Sequence, residues 1–415
     1  MKIKFITFGC SNNISESEIM CGLLKKANHE IVENNEDIRI VNICSVKSPS
    51  LNKGIKEIKN SPVPIIIAGC IPKESIEILK SIRPDVSLMN THNFDKIVEV
   101  VEKTSQGLYL EVLDKSKKVK ICLPKIRKNP IVNIVPIASG CKGECTYCSV
   151  RNIKGKLYSF PPELIITEIK QSLKEGCKEI WLTAQDTGAY GLDIGTTLPK
   201  LLNQILEIKG DFKIRLGMTN PQFMIRYLDE IIEIFNNPKM FKFLHIPVQS
   251  GSNRTLFMMK RPYTSKQYKQ IISKLKKSHP KITISTDIII GFPTETDEDF
   301  EETINLIKET KPNVLNFSKF WLRPGTEAEQ LKKLPGKTIK ERSMKIKEVF
   351  EKYALENNKK WEGWEGEIII DEFGKLNSSV GRNFAYKPII LKGKHKLGEE
   401  LKIKIKKVTF HDFRT

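Results

Sequence analysis

Along residues 1–105 short apolar runs alternate with amphipathic stretches. Residues 2–8, 38–43, 63–68 and 87–90 are apolar and rich in β-branched side chains, which predicts strands. Residues 15–27, 50–59, 73–81 and 93–101 repeat their apolar positions at three and four, which predicts helices with one buried face. Strands separated by helices imply parallel pairing in a doubly wound sheet. From residue 133 the alternation resumes, with predicted strands at 133–138, 179–183, 213–217, 241–246, 282–290 and 314–320. Helical patterns at 162–175, 198–208, 223–235, 265–277 and 297–309 separate them. Six such units are too few for an eight-fold barrel, so a partial (β/α)6 barrel is predicted, with its site at the strand C-termini. A charged helix at 337–360 follows. Short strands at 367–371, 388–391 and 401–408, broken by glycines, then predict a small all-β barrel of five strands.

The expected organisation is therefore α/β with three domains: 1–106, 127–353 and 354–415. A basic stretch joins the first two, with KSKKVK and KIRKNP blocks around Cys122. No uncharged apolar run reaches the ~18–20 residues of a membrane helix, so no membrane partner is expected. Lys and Arg outnumber Asp and Glu by 69 to 49, a formal charge of +20 over 415 residues. A protein so basic points to a polyanionic partner, nucleic acid first, although a lysine-rich composition would read the same way. The segment 392–407 is the most basic part of the last domain.

Nine cysteines, an odd number, do not form a closed disulfide set. The apolar stretch before Cys10 is too short for a signal h-region, so a reducing cytoplasmic setting is expected. In Ser139-Gly140-Cys141-Lys-Gly-Glu-Cys145-Thr-Tyr-Cys148 the spacing is C-x3-C-x2-C, directly after a predicted strand. Three thiolates in one loop can hold three irons of a [4Fe–4S] cluster and leave the fourth open to a substrate. Zinc is the rival, but it wants four ligands and no second pair lies near. Cys10, Cys44 and Cys70 each fall at the end of one of the first three predicted strands, the end where doubly wound sheets bind ligands. Taken singly, each reads as a small buried hydrophobe. Cys21, Cys122 and Cys177 carry no such pattern.

The C-x3-C-x2-C loop with an aromatic residue before its last cysteine resembles the radical S-adenosylmethionine superfamily. That resemblance implies an open iron chelating S-adenosylmethionine, whose reductive cleavage yields a 5′-deoxyadenosyl radical. The phrases Thr-Phe-Gly-Cys10-Ser-Asn, Asn-Ile-Cys44-Ser-Val and Ala-Gly-Cys70-Ile-Pro resemble the N-terminal domain of the methylthiotransferases. There the resemblance implies an auxiliary [4Fe–4S] cluster on Cys10, Cys44 and Cys70 at which sulfur is delivered. Ser11-Asn12-Asn13 and Ser45-Val46-Lys47 are loose versions of the family phrases. Gly381-Arg382-Asn383-Phe-Ala-Tyr386-Lys387-Pro resembles a TRAM domain, an RNA-binding β-barrel, and implies RNA contacts from Arg382, Tyr386 and Lys387. Gln185 and Asp186, at the end of the second barrel strand, and Ser285 and Asp287, in the fifth, are the expected cofactor-binding residues. His245 reads equally as a structural residue.

The phrases around 185–195, 217–221 and 245–250 resemble the archaeal and eukaryotic branch, whose members methylthiolate threonylcarbamoyladenosine at tRNA position 37. Two [4Fe–4S] clusters, S-adenosylmethionine, tRNA, an electron donor and a sulfur donor are what that resemblance implies. The alternatives are a methylthiotransferase acting on a ribosomal-protein aspartate and a non-catalytic iron–sulfur or zinc RNA-binding protein.

Overall fold

The computed structural model describes residues 1–44 and 48–415; the phrase Ser45-Val46-Lys47 lies outside the described residues. The chain divides into two compact units. One comprises Met1–Lys128, Ile134–Gly143 and Cys148–Glu168; the other comprises Asn129–Asn133, Glu144–Tyr147 and Ile169–Thr415. No described helix is long and apolar enough to cross a membrane.

The first unit is built on strands β1 (Lys2–Phe8), β2 (Glu30–Ile31), β3 (Ile38–Cys44), β4 (Ile65–Cys70), β5 (Val86–Asn90) and β6 (Glu111–Val112). They form one parallel sheet in the order β2-β1-β3-β4-β5-β6. The apolar runs are continuous because both faces are covered. Ile38, Ile40, Ile66 and Ala68 meet the helices α1 (Ser11–Lys26) and α4 (Ile97–Ser105). Val41, Ile43, Ile65 and Ile67 pack on the other side with Ile58 of α2 (Ser48–Lys59) and Leu79 of α3 (Lys73–Ile82). Two-residue edge strands such as β2 and β6 are too short to leave a pattern in the sequence. α1 begins at Ser11 rather than at 15, because its first turns bury polar side chains: Asn13 Nδ2 donates to Asn42 Oδ1 of β3 (3.1 Å) and Asn42 Nδ2 donates back to the Asn13 carbonyl (2.9 Å).

Strand β7 (Val132–Pro136) leads into a short antiparallel pair, β8 (Ala138–Ser139) with β9 (Tyr158–Ser159), and the helix α5 (Val150–Lys154) lies between these two. In the second unit β10 (Glu179–Thr183), β11 (Lys213–Leu216), β12 (Phe243–His245), β13 (Thr283–Ile290) and β14 (Val314–Lys319) run parallel. They fall into two three-stranded sheets, β11-β10-β7 and β12-β13-β14. A parallel bridge Ile214↔Met240 and the Thr219 N–H bonded to the His245 carbonyl (2.9 Å) join them into one curved, open run, the expected partial barrel. Its helices carry strong start signals: the capping boxes Thr264/Gln267 and Thr296/Asp299 open Ser265–Ser278 and Asp297–Thr310.

The C-terminal module has six strands, not five: β15 (Glu365–Phe373), β16 (Ser378–Arg382), β17 (Pro388–Lys392), β18 (Glu400–Lys404), β19 (Lys407–Val408) and β20 (Phe413–Arg414). They form a single sheet ordered β18-β15-β16-β17-β20-β19, curled over Trp361, Ile370, Ile389, Ile405 and Phe413. The module belongs to the same compact unit as β10–β14.

Candidate functional site

The sheet of the first unit brings the dispersed cysteines to one edge. Cys44 and Cys70 end β3 and β4 and are partners in register, while Cys10 caps α1 two residues beyond β1. Cys44 and Cys70 are buried and Cys10 is exposed. The hydrogen bond between Cys70 and Cys44, with burial behind it, pushes the Cys70 thiol well above its ordinary range. Asn13 Oδ1 accepts from both the Cys10 N–H (3.3 Å) and its thiol (3.4 Å). Gly69 holds a positive φ of 109°, and a Cβ there would run into the Ile43 carbonyl and the Asn42 side chain, so only glycine lets β4 deliver Cys70 beside β3. Among the described residues no three His, Cys, Asp or Glu side chains close on one metal ion. A four-iron cluster makes a different demand, since each thiolate binds its own iron.

Of the C-x3-C-x2-C loop, Cys141 and Cys148 belong to the first unit and Cys145 to the second. In the first, the Cys141 N–H donates to the Gly155 carbonyl (3.2 Å), and the Gly143 N–H donates to Cys141 Sγ (3.2 Å). Gly140 has φ 76°, and any Cβ would strike the Lys156 backbone. Cys148 stands two residues ahead of α5. In the second unit, Cys145 Sγ accepts from Arg261 Nη1 (3.2 Å). Arg261 is itself fixed by the Tyr263 hydroxyl (2.8 Å) and the Pro247 carbonyl (3.1 Å) and is buried. Donors aimed at sulfur suit a thiolate bound to iron, so these residues fit an iron–sulfur cluster. The sequence carries no sign of the contact between Arg261 and Cys145; the phrase Arg261-Pro-Tyr263 reads only as polar chemistry near the barrel site.

The strand-end residues divide. Asp186 is buried; its Oδ1 accepts from the Gly188 and Asn220 N–H groups (both 3.1 Å), while Oδ2 has no hydrogen-bond partner among the described residues. Burial pushes this carboxyl up to about 6, against the hydrogen bond from Asn220 and the charge of Arg261. An orphaned buried carboxylate oxygen fits a ligand ammonium group. Gln185 precedes it on the same strand end. Asp287 Oδ1 is engaged by His245 Nε2 (2.8 Å) and Asn316 Nδ2 (2.9 Å), across the β12-β13-β14 sheet. Ser285 is buried in β13, in register with His245.

The pattern of the Radical SAM superfamily matches residues 135–307, and that of an uncharacterized protein family, UPF0004, matches residues 2–91. A probable threonylcarbamoyladenosine tRNA methylthiotransferase of Pyrococcus abyssi is 39% identical over 94% of this chain and 93% of its own length. The human threonylcarbamoyladenosine tRNA methylthiotransferase is 38% identical over 94% of this chain and 69% of its own. The chain belongs to the threonylcarbamoyladenosine tRNA methylthiotransferase family. Among solved structures, a radical S-adenosylmethionine methyltransferase, TsrM, from Kitasatospora setae superposes with a TM-score of 0.56 at 12% identity, covering 79% of this chain and 75% of that one. At that identity the likeness is one of fold. A radical SAM core brings with it S-adenosylmethionine and a [4Fe–4S] cluster.

In this family member Arg382, Tyr386 and Lys387 do not face outward, as the RNA-contact expectation requires. Tyr386 is 9% exposed and its ring lies 4.9 Å from Phe241, 5.4 Å from Phe243 and 6.3 Å from Trp181, all on the barrel. The Arg215 guanidinium sits 5.0 Å from the Tyr386 ring centre and 4.8 Å from that of Trp181. Arg382 pairs with the buried Asp371 (2.9 Å). Lys387 is 3% exposed, 5.5 Å from the Phe413 ring. Asn383 Oδ1 accepts from the Ala385 and Lys387 N–H groups (both 3.0 Å) and winds the phrase into a turn that drives Tyr386 into the seam. Basic and aromatic residues together read alike for RNA stacking and for an internal cation–aromatic seam. Exposed basic side chains lie instead at Lys392, Lys394, Lys396, Lys402, Lys406 and Lys407.

Proposed function

We propose that this chain is a tRNA methylthiotransferase that replaces the C2 hydrogen of threonylcarbamoyladenosine at tRNA position 37 by a methylthio group, using one [4Fe–4S] cluster on Cys141, Cys145 and Cys148 and a second on Cys10, Cys44 and Cys70. The observation that carries the reading is the pairing of a radical SAM loop with a separate trio of cysteines at one edge of a doubly wound sheet, in a chain of this family. Electron transfer alone would not need two incomplete cysteine sets, each leaving an iron open.

When bound, the clusters and S-adenosylmethionine supply radical C–H cleavage, sulfur and the methyl group. The chain's own residues bind and orient. Asp186 offers its unpaired oxygen to the cofactor's ammonium, and Gln185 flanks it. Asp287, fixed by His245 and Asn316, lines the strand ends as a set acceptor. Arg261 and the Gly143 N–H donate to cysteine sulfurs. The exposed lysines of 392–407 and the overall charge draw in the tRNA phosphates, so affinity falls with salt, with a log–log slope of about −0.9 for each phosphate contact.

The test is anaerobic reconstitution with iron and sulfide, followed by dithionite, S-adenosylmethionine and tRNA bearing threonylcarbamoyladenosine. Digestion and mass spectrometry are expected to give the methylthio nucleoside together with 5′-deoxyadenosine. 5′-Deoxyadenosine without modified nucleoside would move the substrate, first to a ribosomal-protein aspartate. Neither product from protein holding about eight irons would leave an iron–sulfur RNA-binding protein.

A further inference from the structure

The polar chemistry beside the N-terminal cysteines has no part in the reading above. Glu16, Lys120 and Lys154 are 4%, 8% and 5% exposed. Lys154 Nζ lies 2.7 Å from Glu16 Oε1 and also meets the Thr91 hydroxyl. Asn12 Nδ2 donates to the same carboxylate oxygen at 2.9 Å, and Thr91 Oγ1 donates to it as well. Lys120 Nζ caps the Thr91 carbonyl and sits 4.7 Å from the Phe94 ring centre. Two buried ammonium groups face one buried carboxylate. A buried charge is stable only when paired, so this cluster holds a surplus of positive charge that calls for an anion.

The cysteines are where that anion would form. The helix α5, which ends at Lys154, packs against β4, which ends at Cys70. His92 Nε2 lies 2.7 Å from the Ile153 carbonyl and ties that end of α5 to the loop after β5. The Lys154 ammonium, held by Glu16 at 2.7 Å, is the buried cation that Cys70 and Cys10 face. Burial pushes Lys120 down to about 8, against the pull of Glu16, Asp95 and Cys70.

We propose that Lys154, oriented by Glu16, is the charge-compensating residue of the Cys10/Cys44/Cys70 site, and that its ammonium sets the reduction potential of the cluster assembled there. The inference rests on the two-cluster reading. A four-iron cluster on three thiolates is negatively charged, and reduction adds one more electron. A fixed cation beside it favours the reduced form, and cluster potentials respond to net charge and hydrogen bonding. Lys154 is a positioning residue: it acts through the cysteines.

The test uses the full-length chain carrying Cys141→Ala, Cys145→Ala and Cys148→Ala, reconstituted with iron and sulfide and titrated potentiometrically with detection by electron paramagnetic resonance. Lys154→Met is expected to shift the midpoint to more negative potential, and Lys154→Arg to restore it. Glu16→Gln, which removes the opposing carboxylate, is expected to shift it to more positive potential. Loss of structure would not move two variants in opposite directions. No bound iron in the parent would overturn the two-cluster reading itself. A normal cluster whose midpoint ignores Lys154→Met, or moves the same way with Glu16→Gln, would overturn the role of Lys154 and leave the two-cluster reading standing. Should Lys154→Met bind no iron, Glu16→Gln decides alone, and an unchanged or more negative midpoint there overturns the proposal.

Discussion

The two cysteine trios, each proposed to hold a cluster, are assembled by opposite means. Cys141, Cys145 and Cys148 share a single loop, and their spacing is a property of the sequence itself. Cys10, Cys44 and Cys70 come from three elements and meet only because β1, β3 and β4 pair in parallel with Cys44 opposite Cys70. The loop site needs donors brought to it, such as Arg261 at Cys145 Sγ. The sheet site needs the whole first unit, with its buried ion pair, to exist at all. One is local and electrostatically dressed from outside; the other is global and carries its counter-charge within.

The comparison breaks most sharply at single cysteines. Cys145→Ala is expected to abolish 5′-deoxyadenosine formation, with iron content falling from about eight to about four per chain. Cys70→Ala is expected to lose the methylthio nucleoside entirely while 5′-deoxyadenosine still forms, since the loop site is left intact. Paired assays of both products on both variants check this; a Cys70→Ala enzyme that still makes methylthio nucleoside would remove the sheet site from the reaction.

Glycines sharpen it next. Gly69→Ala places a Cβ against the Ile43 carbonyl at a φ of 109° and is expected to destabilise the first unit by roughly 2–4 kcal/mol, with iron lost from the sheet site first. Gly140→Ala meets the Lys156 backbone and is expected to lose loop-site iron at a smaller change in melting temperature. Thermal melts alongside iron analysis distinguish the two.

The smallest effect lies in the seam. Burial pushes Lys387 down to about 7, and Lys276 adds repulsion. The folded chain releases that proton from about pH 7, whereas the unfolded chain holds it to ~10.4. The penalty is therefore full below pH 7, and stability rises with pH across that window. Lys387→Met is expected to flatten the rise and add about 1–2 kcal/mol near neutrality, read from denaturant melts at pH 6.5 and 9.5.

How much of this was legible follows from whether a feature is local. The strand at Lys2–Phe8 and that at Glu179–Thr183 stand where their apolar residues put them, because the signal lies within each strand itself. The loop cysteines were legible for the same reason. The sheet cysteines were legible only through the position of each at a strand end. Arg261 and Lys154 were not: a buried cation is recognised by its partner, and Glu16 lies 138 residues from Lys154. Tyr386 was legible as an aromatic residue in a basic phrase, but nothing local shows that its left-handed turn, φ 57°, points it at Phe241 rather than at solvent. In the last module Ser378–Arg382 escaped because it is largely polar, and Phe413–Arg414 because two residues leave no pattern.

That 138-residue separation also has a consequence in time. At about 5–20 residues per second, a ribosome that has made Glu16 needs roughly 7–28 s more to make Lys154. All three thiols exist only once Cys70 is made, and for the 84 residues from there to Lys154, roughly 4–17 s, they lack the cation proposed to balance them. The first element to be synthesised is thus among the last to be finished, and iron delivered to the emerging chain meets a site that is not yet complete.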